Sequence, residues 1–148
     1  MRVDGHCHCG EITFEAEVDP VALTICHCTD CQTLTRSAFC VNIPASAEHF
    51  VLRGTPKSYV KTAESGNKRR HAFCGNCGTP IYACAVDNPQ SYALRVGTIT
   101  QRAAFTPKRL AEVCAGLGRL ARCRDGDRER MELINKRPFE WHLELASA

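Results

Sequence analysis

Closely spaced cysteines are the feature that most constrains this chain, which has eleven of them in 148 residues. Seven lie in three short clusters, HCHCG at 6–10, CHCTDC at 26–31 and FCGNCG at 73–78. Sulfurs at these spacings do not suit ordinary disulfides, and an odd total cannot pair completely. Because thiolates presented by tight turns are typical zinc ligands, metal binding is the better explanation of the clusters.

The compartment is predicted from the lack of long apolar segments, and the class of partner is predicted from the net charge. No window has the length and apolar character of a membrane span, and the N-terminus has no apolar signal-peptide core. We therefore expect a cytoplasmic protein, in a compartment where structural disulfides rarely persist. The formal net charge of +3 counts every cysteine as neutral. Metal-bound thiolates would offset it, so the charge does not favour a nucleic-acid partner. The sequence gives no oligomeric state.

The first hundred residues predict a mainly β domain. Apolar and polar residues alternate with a period of two along EITFEAEV, which indicates a half-buried strand. The run at 65–71 is interpreted as a solvated hairpin tip, with binding of an anion as the alternative. We place a zinc-binding domain at 1–106 and an atypical tail at 107–148, helical or poorly ordered, with a short helix beginning near Pro107. The predicted strands are 11–18, 37–43, 49–54, 57–62, 80–86 and 92–99.

The clusters divide into four cysteines and three. Zinc–sulfur bonds of ~2.3 Å in a tetrahedral site place neighbouring sulfurs roughly 3.8 Å apart, a distance that a CxC or CxxC turn supplies. Two such pairs would close one structural site that contributes to folding. Three cysteines would leave one position open, as in catalytic zinc sites. The predicted closed site is Cys7, Cys9, Cys74 and Cys77, and the predicted open site is Cys26, Cys28 and Cys31.

A competing arrangement has two closed sites and no chemistry. In it, Cys40, Cys84 or a histidine completes the second cluster. Cys40 and Cys84 lie within apolar strand patterns, however, where a cysteine usually behaves as a small buried hydrophobe. The remaining candidates are the histidines His6, His8 and His27, each beside a better-spaced cysteine, and the isolated thiols Cys114 and Cys123.

The order CHCG, CHCTDCQ, FCGNCGTP and GTI resembles the glutathione-dependent formaldehyde-activating enzyme family, also named for centromere protein V, over about residues 5 to 105. The resemblance implies a β-tent fold with two zinc ions. It implies the same structural and catalytic ligand sets as above. It also implies carbon–sulfur lyase chemistry that joins glutathione to formaldehyde as S-hydroxymethylglutathione. Thr100 departs from the family, which usually has an acidic residue there, and the tail lacks the family's later aromatic-containing segment.

Substrate contacts are predicted only from charge. Asp30 is expected either to orient a metal ligand or to cap a turn. The expected partners are glutathione or a related thiol and a small aldehyde or other electrophile. The alternative function is a non-catalytic, zinc-stabilised module that binds nucleic acid or protein. Candidates to hold a substrate carboxylate are Arg36, Lys68, Arg69 and Arg70, for which solvated surface positions are the alternative.

Overall fold

The structure, a computed structural model, describes residues 1–62, 66–105 and the backbone of 109–111. These residues lie in one compact unit and are mainly β, as predicted. None of the described helices has the length and apolar character needed to cross a membrane. The strands are β1 (Arg2–His6), β2 (Thr13–Val18), β3 (Thr24–Cys26), β4 (Cys40–Arg53), β5 (Lys57–Thr62), β6 (Lys68–Phe73), β7 (Pro80–Ala85), β8 (Ser91–Arg95) and β9 (Arg109–Ala111), and the α-helix is α1 (Thr29–Thr35).

Seven strands form one antiparallel path, in the order β1-β2-β4-β8-β7-β6-β5. β3 lies off this path, antiparallel to the first part of β4. β9 pairs with β3 in the parallel direction. The helix predicted near Pro107 is therefore wrong for 109–111, which extend the sheet beyond the predicted domain boundary at 106. The rest of the predicted tail, with Cys114 and Cys123, lies outside the described residues.

β4 replaces two predicted strands with one of 14 residues. Its first part pairs with β3 and β8, and its second part pairs with β2. The register shifts between these parts, since Ala16 faces Phe50 whereas Val18 faces Ala45. This irregularity falls on the polar stretch that the sequence pattern interpreted as a break between strands.

The basic run is mostly strand. Lys68–Phe73 pairs with β5 on one side and with β7 on the other, so the predicted hairpin tip at 65–71 is wrong for its second half. Thr62 faces Lys68, which confines the hairpin connection to the residues between them. Arg70 and His71 are half-buried rather than fully solvated.

The core lies where β2, β4, β7 and β8 present their apolar positions. Phe14 is 1 % exposed, and Ile43, Ile81 and Leu94 are completely buried. An aromatic group packs against it, with the rings of Phe50 and Tyr92 centred 4.6 Å apart. The half-buried alternation predicted for EITFEAEV is observed over β2, whose buried residues are Phe14, Ala16 and Val18.

Gly5 on β1 tests how closely this core is packed. A Cβ added there would lie 2.5 Å from the carbonyl oxygen of Thr98 and would overlap the buried ring of Phe14. We expect Gly5→Ala to lower the free energy of unfolding by roughly 2 to 3 kcal/mol, because the overlap involves backbone and an immobile ring. Urea unfolding followed by circular dichroism measures this cost.

Gly97→Ala is the matched control, since an added Cβ would meet nothing within 4 Å. Its effect should stay within about 0.5 kcal/mol. Equal stability of the two variants would contradict the close approach of β1 to Thr98.

Candidate metal centres

Four cysteines from two distant turns come together. Cys7 and Cys9 follow β1, and Cys74 and Cys77 follow β6, yet all four sulfurs lie within 4.8 Å of one another. The Sγ atoms of Cys7 and Cys9 are 3.4 Å apart, and those of Cys9 and Cys74 are 3.7 Å apart. Tetrahedral zinc coordination requires roughly 3.8 Å between sulfurs. The donor set and its spacing therefore fit a metal ion, and they group the residues that the sequence predicted as the closed site.

The two turns have matching backbones. The N–H of Gly10 donates to the carbonyl of Cys7 at 3.0 Å, and the N–H of Gly78 donates to the carbonyl of Cys74 at 3.0 Å. Both glycines adopt a left-handed conformation, with φ of 79° and 73°. The N–H of Ile12 also donates to the sulfur of Cys7 at 3.2 Å. Glycine at these positions lets each turn present its sulfurs to a common point.

Burial alternates within the four-cysteine cluster. Cys7 and Cys74 are completely buried in the core, whereas Cys9 and Cys77 are exposed. The Thr79 hydroxyl lies 3.1 Å from the sulfur of Cys77 and, with the Thr79 backbone, lowers the pKa of Cys77 to about 5. The cluster therefore joins the core to the surface.

Three further cysteines form a separate, half-buried group. Cys26 ends β3, Cys28 is the N-cap of α1 and Cys31 lies in the first turn of α1, with all three sulfurs within 4.8 Å of one another. Cys28 accepts the N–H of Cys31 at 3.3 Å, as a serine or aspartate cap does. The sequence predicted a ligand-bearing loop, and a strand end followed by a helix takes its place.

The three thiols resist ionisation. Burial raises the pKa of Cys26, and it raises the pKa of Cys28 to about 11. The interaction with Cys40, followed by burial, raises the pKa of Cys31. A cation that binds here has to displace protons from these sulfurs.

Cys40 and Cys84 are buried, as predicted, with 4 % and 0 % of their surface exposed. Among the described residues, the groups of mutually close metal-ligand atoms contain neither of them and none of His6, His8 and His27. Within the part of the chain that the structure describes, no fourth ligand joins Cys26, Cys28 and Cys31, although Cys40 neighbours Cys31.

Asp30 does not cap α1, whose N-cap residue is Cys28. Its carboxylate accepts a hydrogen bond from the ammonium group of Lys61, whose side chain is only 15 % exposed. This ion pair joins α1 to β5 and so fixes the helix that carries Cys31.

Arg95 is a polar residue of the site that the sequence analysis missed. Its Nη1 donates to the Asn42 Oδ1 at 2.6 Å and to the Cys40 sulfur, and its Nη2 lies 3.3 Å from the His71 Nδ1. The register of the sheet creates this network, since Cys26 faces Cys40 and Asn42 faces Arg95. The sequence offered no local signal for this residue, because its burial follows from the pairing of β8 within the sheet.

Of the four predicted carboxylate-binding residues, only Arg36 shares a cavity with this network. Arg36 ends α1 in a left-handed conformation, with φ of 56°, and lines a cavity with His71 and Arg95. Lys68 and Arg69 line a different cavity, together with Asp87.

Comparison with known proteins identifies the family. The profile described as glutathione-dependent formaldehyde-activating enzyme matches residues 2–114, which is most of the chain. The chain belongs to the glutathione-dependent formaldehyde-activating enzyme family. This confirms the resemblance seen in the cysteine clusters.

Relatives within this family are distant. A Halomonas elongata protein that provisionally carries the family's enzyme name is 26% identical over 88 residues, 55% of this chain and 55% of that protein. A Schizosaccharomyces pombe protein named an uncharacterized lyase is 29% identical over 93 residues, 60% of this chain and 62% of that protein. The chain thus spans a little over half the length of the curated relatives it matches.

A solved structure supports the fold alone. The crystal structure of a Rhodobacter sphaeroides protein matches with a TM-score of 0.56 at 20% sequence identity, and it covers 73% of this chain and 99% of that one. The mainly β class is therefore confirmed, and the β-tent assignment stays a prediction.

Thr100 stands where the family usually has an acidic residue, and it contacts the carboxylate of Asp4. Its hydroxyl donates to the Asp4 carboxylate at 2.7 Å, and Gln101 donates to the same group at 2.5 Å. The Thr100 and Gln101 bonds lower the pKa of Asp4. In this chain, β1 supplies the carboxylate next to the GTI turn.

His71 provides a pH test of the Arg95 network. Burial, followed by the charge of Arg95, lowers the pKa of His71 to about 4 from the usual 6.5. Protonation then favours the unfolded chain, so its contribution to stability is complete above pH 6.5 and is lost as the pH falls through 4. Between these values, we expect the stability of wild type to fall relative to that of His71→Gln, as measured by urea unfolding.

The control is His49→Gln, a change at an exposed position, and the ¹⁵N shifts of the histidine rings give the protonation state of His71 directly. A His71 ring that titrates near pH 6.5 would contradict its neutral contact with Arg95.

Proposed function

We propose that this protein is a zinc-dependent enzyme of the carbon–sulfur lyase type that acts on a thiol and a small electrophile. Glutathione and formaldehyde are the proposed pair, and a related thiol or aldehyde is compatible with the same chemistry. The observation that carries the proposal is the group of Cys26, Cys28 and Cys31, which is separate from the four-cysteine group. Membership of the family supports the class of reaction.

The proposed metal is zinc, with one ion in each group. Sulfur-only donor sets with tetrahedral spacing suit zinc, and closed four-cysteine sites are structural. Cys7, Cys9, Cys74 and Cys77 would hold the structural ion, and Cys26, Cys28 and Cys31 would hold the catalytic one. With zinc held by Cys26, Cys28 and Cys31, the pKa of a bound substrate thiol would be lowered, which would provide a nucleophile at neutral pH.

The reaction itself is an addition. The substrate sulfur forms a bond to the aldehyde carbon, and the electron pair of the C=O double bond moves to oxygen. The proton that leaves the thiol ends on that oxygen, so the product is a hydroxymethyl thioether and no other reactant is needed. Holding the two reactants together supplies most of the rate gain expected of such a site.

The chain's own residues position these groups. β3 and α1 fix the three sulfurs, and the Asp30–Lys61 pair ties α1 to β5. Arg95 places a positive charge beside Cys40, which in turn neighbours Cys31. All nine cysteines of the described residues are free, which is compatible with the proposed cytoplasmic location.

The metal content of variants tests the proposed assignment of one structural and one catalytic zinc site. Wild type should bind two zinc ions per chain, as measured by elemental mass spectrometry after gel filtration. Cys28→Ala should stay folded and keep one ion. Cys77→Ala should lose an ion and much of its stability, although Cys77 is exposed and contributes little packing.

Cys84→Ala is the matched control, because Cys84 is completely buried but belongs to neither group. It should keep both ions at a packing cost of about 1 to 2 kcal/mol. A stable Cys77→Ala variant combined with an unfolded Cys28→Ala variant would reverse the two assignments.

Activity is tested with glutathione and formaldehyde by ¹H NMR exchange spectroscopy. Wild type and Cys84→Ala should accelerate formation of the adduct over the uncatalysed rate, and Cys28→Ala should return to that rate. If wild type also matches the uncatalysed rate while both zinc ions resist a competing thiol, the zinc-stabilised binding module becomes the better assignment.

A further inference from the structure

The guanidinium of Arg95 is buried with its bonding incomplete. The side chain is 7 % exposed, and its Nε–H has no hydrogen-bond partner among the described residues. Its other recorded bonds go to Asn42, Cys40 and His71, none of which is a carboxylate. A buried donor without an acceptor normally costs stability, so the arrangement calls for a compensating ligand.

The charge of Arg95 also lacks a carboxylate partner. Within the described ranges, the ion pairs are Arg53 with Glu15 and Lys61 with Asp30. Burying a cation is favourable only when an anion and further hydrogen bonds accompany it. No acidic side chain in the part of the chain that the structure describes pairs with Arg95.

A cavity of about 260 Å³ lies against this arginine. Arg95 and His71 line it together with Arg36, and Tyr59, Phe73 and Tyr82 give it apolar walls. Arg36 directly follows α1, the helix that contains Cys31, and Arg95 contacts Cys40, the neighbour of Cys31. Arg95 is thus linked to the three-cysteine group by two successive contacts, and Arg36 is linked to it by one short helix.

We infer that this cavity binds the carboxylate of the thiol substrate, with Arg95 and Arg36 as its anion-binding residues, so that the preferred substrates are thiols that carry a carboxylate. The inference rests on the proposed function, because it assumes that the sulfur of the same molecule reaches Cys26, Cys28 and Cys31. The planar guanidinium provides paired donors that match a carboxylate. The aromatic walls suit the short apolar segment that joins the two ends of such a thiol.

The other basic residues are less suitable. Lys68 and Arg69 line a larger cavity of about 750 Å³ that also contains Asp87, a carboxylate of this chain. An anionic ligand there would compete with Asp87, whereas none of the described residues that line the smaller cavity is acidic. Arg95 therefore replaces Lys68, Arg69 and Arg70 as the expected carboxylate-binding residue, and Arg36 is retained.

Three small ligands separate the carboxylate contact from the sulfur contact. 3-Mercaptopropionate has both groups, 3-mercaptopropionamide lacks the charge, and 3-(methylthio)propionate lacks the ionisable thiol. Dissociation constants for the zinc-loaded protein are measured by calorimetry and by ¹H–¹⁵N NMR shifts. We expect wild type to bind the mercapto acid about tenfold more tightly than the amide, as charge-assisted hydrogen bonds predict.

Two variants test whether Arg36 and Arg95 cause the preference for the mercapto acid over the amide. Arg36→Gln changes an exposed residue, and Arg95→Lys keeps the charge but removes the planar donor pair. Each should reduce the tenfold preference to about threefold or less. Arg53→Gln, at an exposed arginine paired with Glu15 and outside the cavity, should keep it. Arg36→Gln decides the question if Arg95→Lys does not fold.

The outcomes distinguish this inference from the proposed function. Equal affinity of wild type for the acid and the amide, or a preference that survives both cavity variants, overturns the carboxylate site. Equal, arginine-dependent binding of 3-mercaptopropionate and 3-(methylthio)propionate, with no binding of the amide, supports the anion site and overturns the thiol chemistry. Failure of all three ligands overturns both.

Discussion

The close approach of four cysteine sulfurs from two distant turns requires the sheet of the described domain to curve. The turns that follow β1 and β6 belong to strands that are five positions apart in the sheet order, yet their four sulfurs lie within 4.8 Å. A flat sheet would keep these turns well separated, since neighbouring strands are about 4.8 Å apart. The sheet therefore has to curve until its two sides meet at the cluster. The buried sulfurs of Cys7 and Cys74 make that meeting point part of the core.

The same curvature places the second group of sulfurs. β3 adds to the first part of β4, so that Cys26 lies opposite Cys40, and β8 pairs with the same part of β4, so that Arg95 lies opposite Asn42. Cys40 and Asn42 are two residues apart and therefore share a face of β4. Two registers thus bring a cation to the edge of the three-cysteine group. A slip of one residue in either pairing would turn these side chains to the other face.

The sequence predicted those features that depend on residues close together in the chain, and it missed those that depend on the pairing of distant strands. The spacings of Cys7 with Cys9 and of Cys74 with Cys77 restrict the geometry of single turns. The alternation of apolar and polar residues along β2 likewise indicates which face of that strand is buried. α1 and β3 were missed because they are short and carry the cysteines that were interpreted as a loop. Arg95 was missed for a different reason. It follows Leu94, and both are buried because β8 is covered on both faces there, whereas a single-sided strand would expose every second residue.

The two cysteine groups differ in the number of possible metal ligands that the described residues bring together. In the four-cysteine group, four sulfurs lie within 4.8 Å of one another, and the backbone N–H of Ile12 donates to the sulfur of Cys7. In the three-cysteine group, only three sulfurs come together among the described residues, and no acidic side chain of those residues pairs with Arg95. In Cys40, the interaction with Cys31 and the charge of Arg95 lower the pKa to about 7, so a neighbouring thiol is only a partial counter-charge. Cys40 connects the two features, since it contacts both Arg95 and Cys31. One guest that carries a sulfur and a carboxylate satisfies both together, so each contact strengthens the other by making it intramolecular.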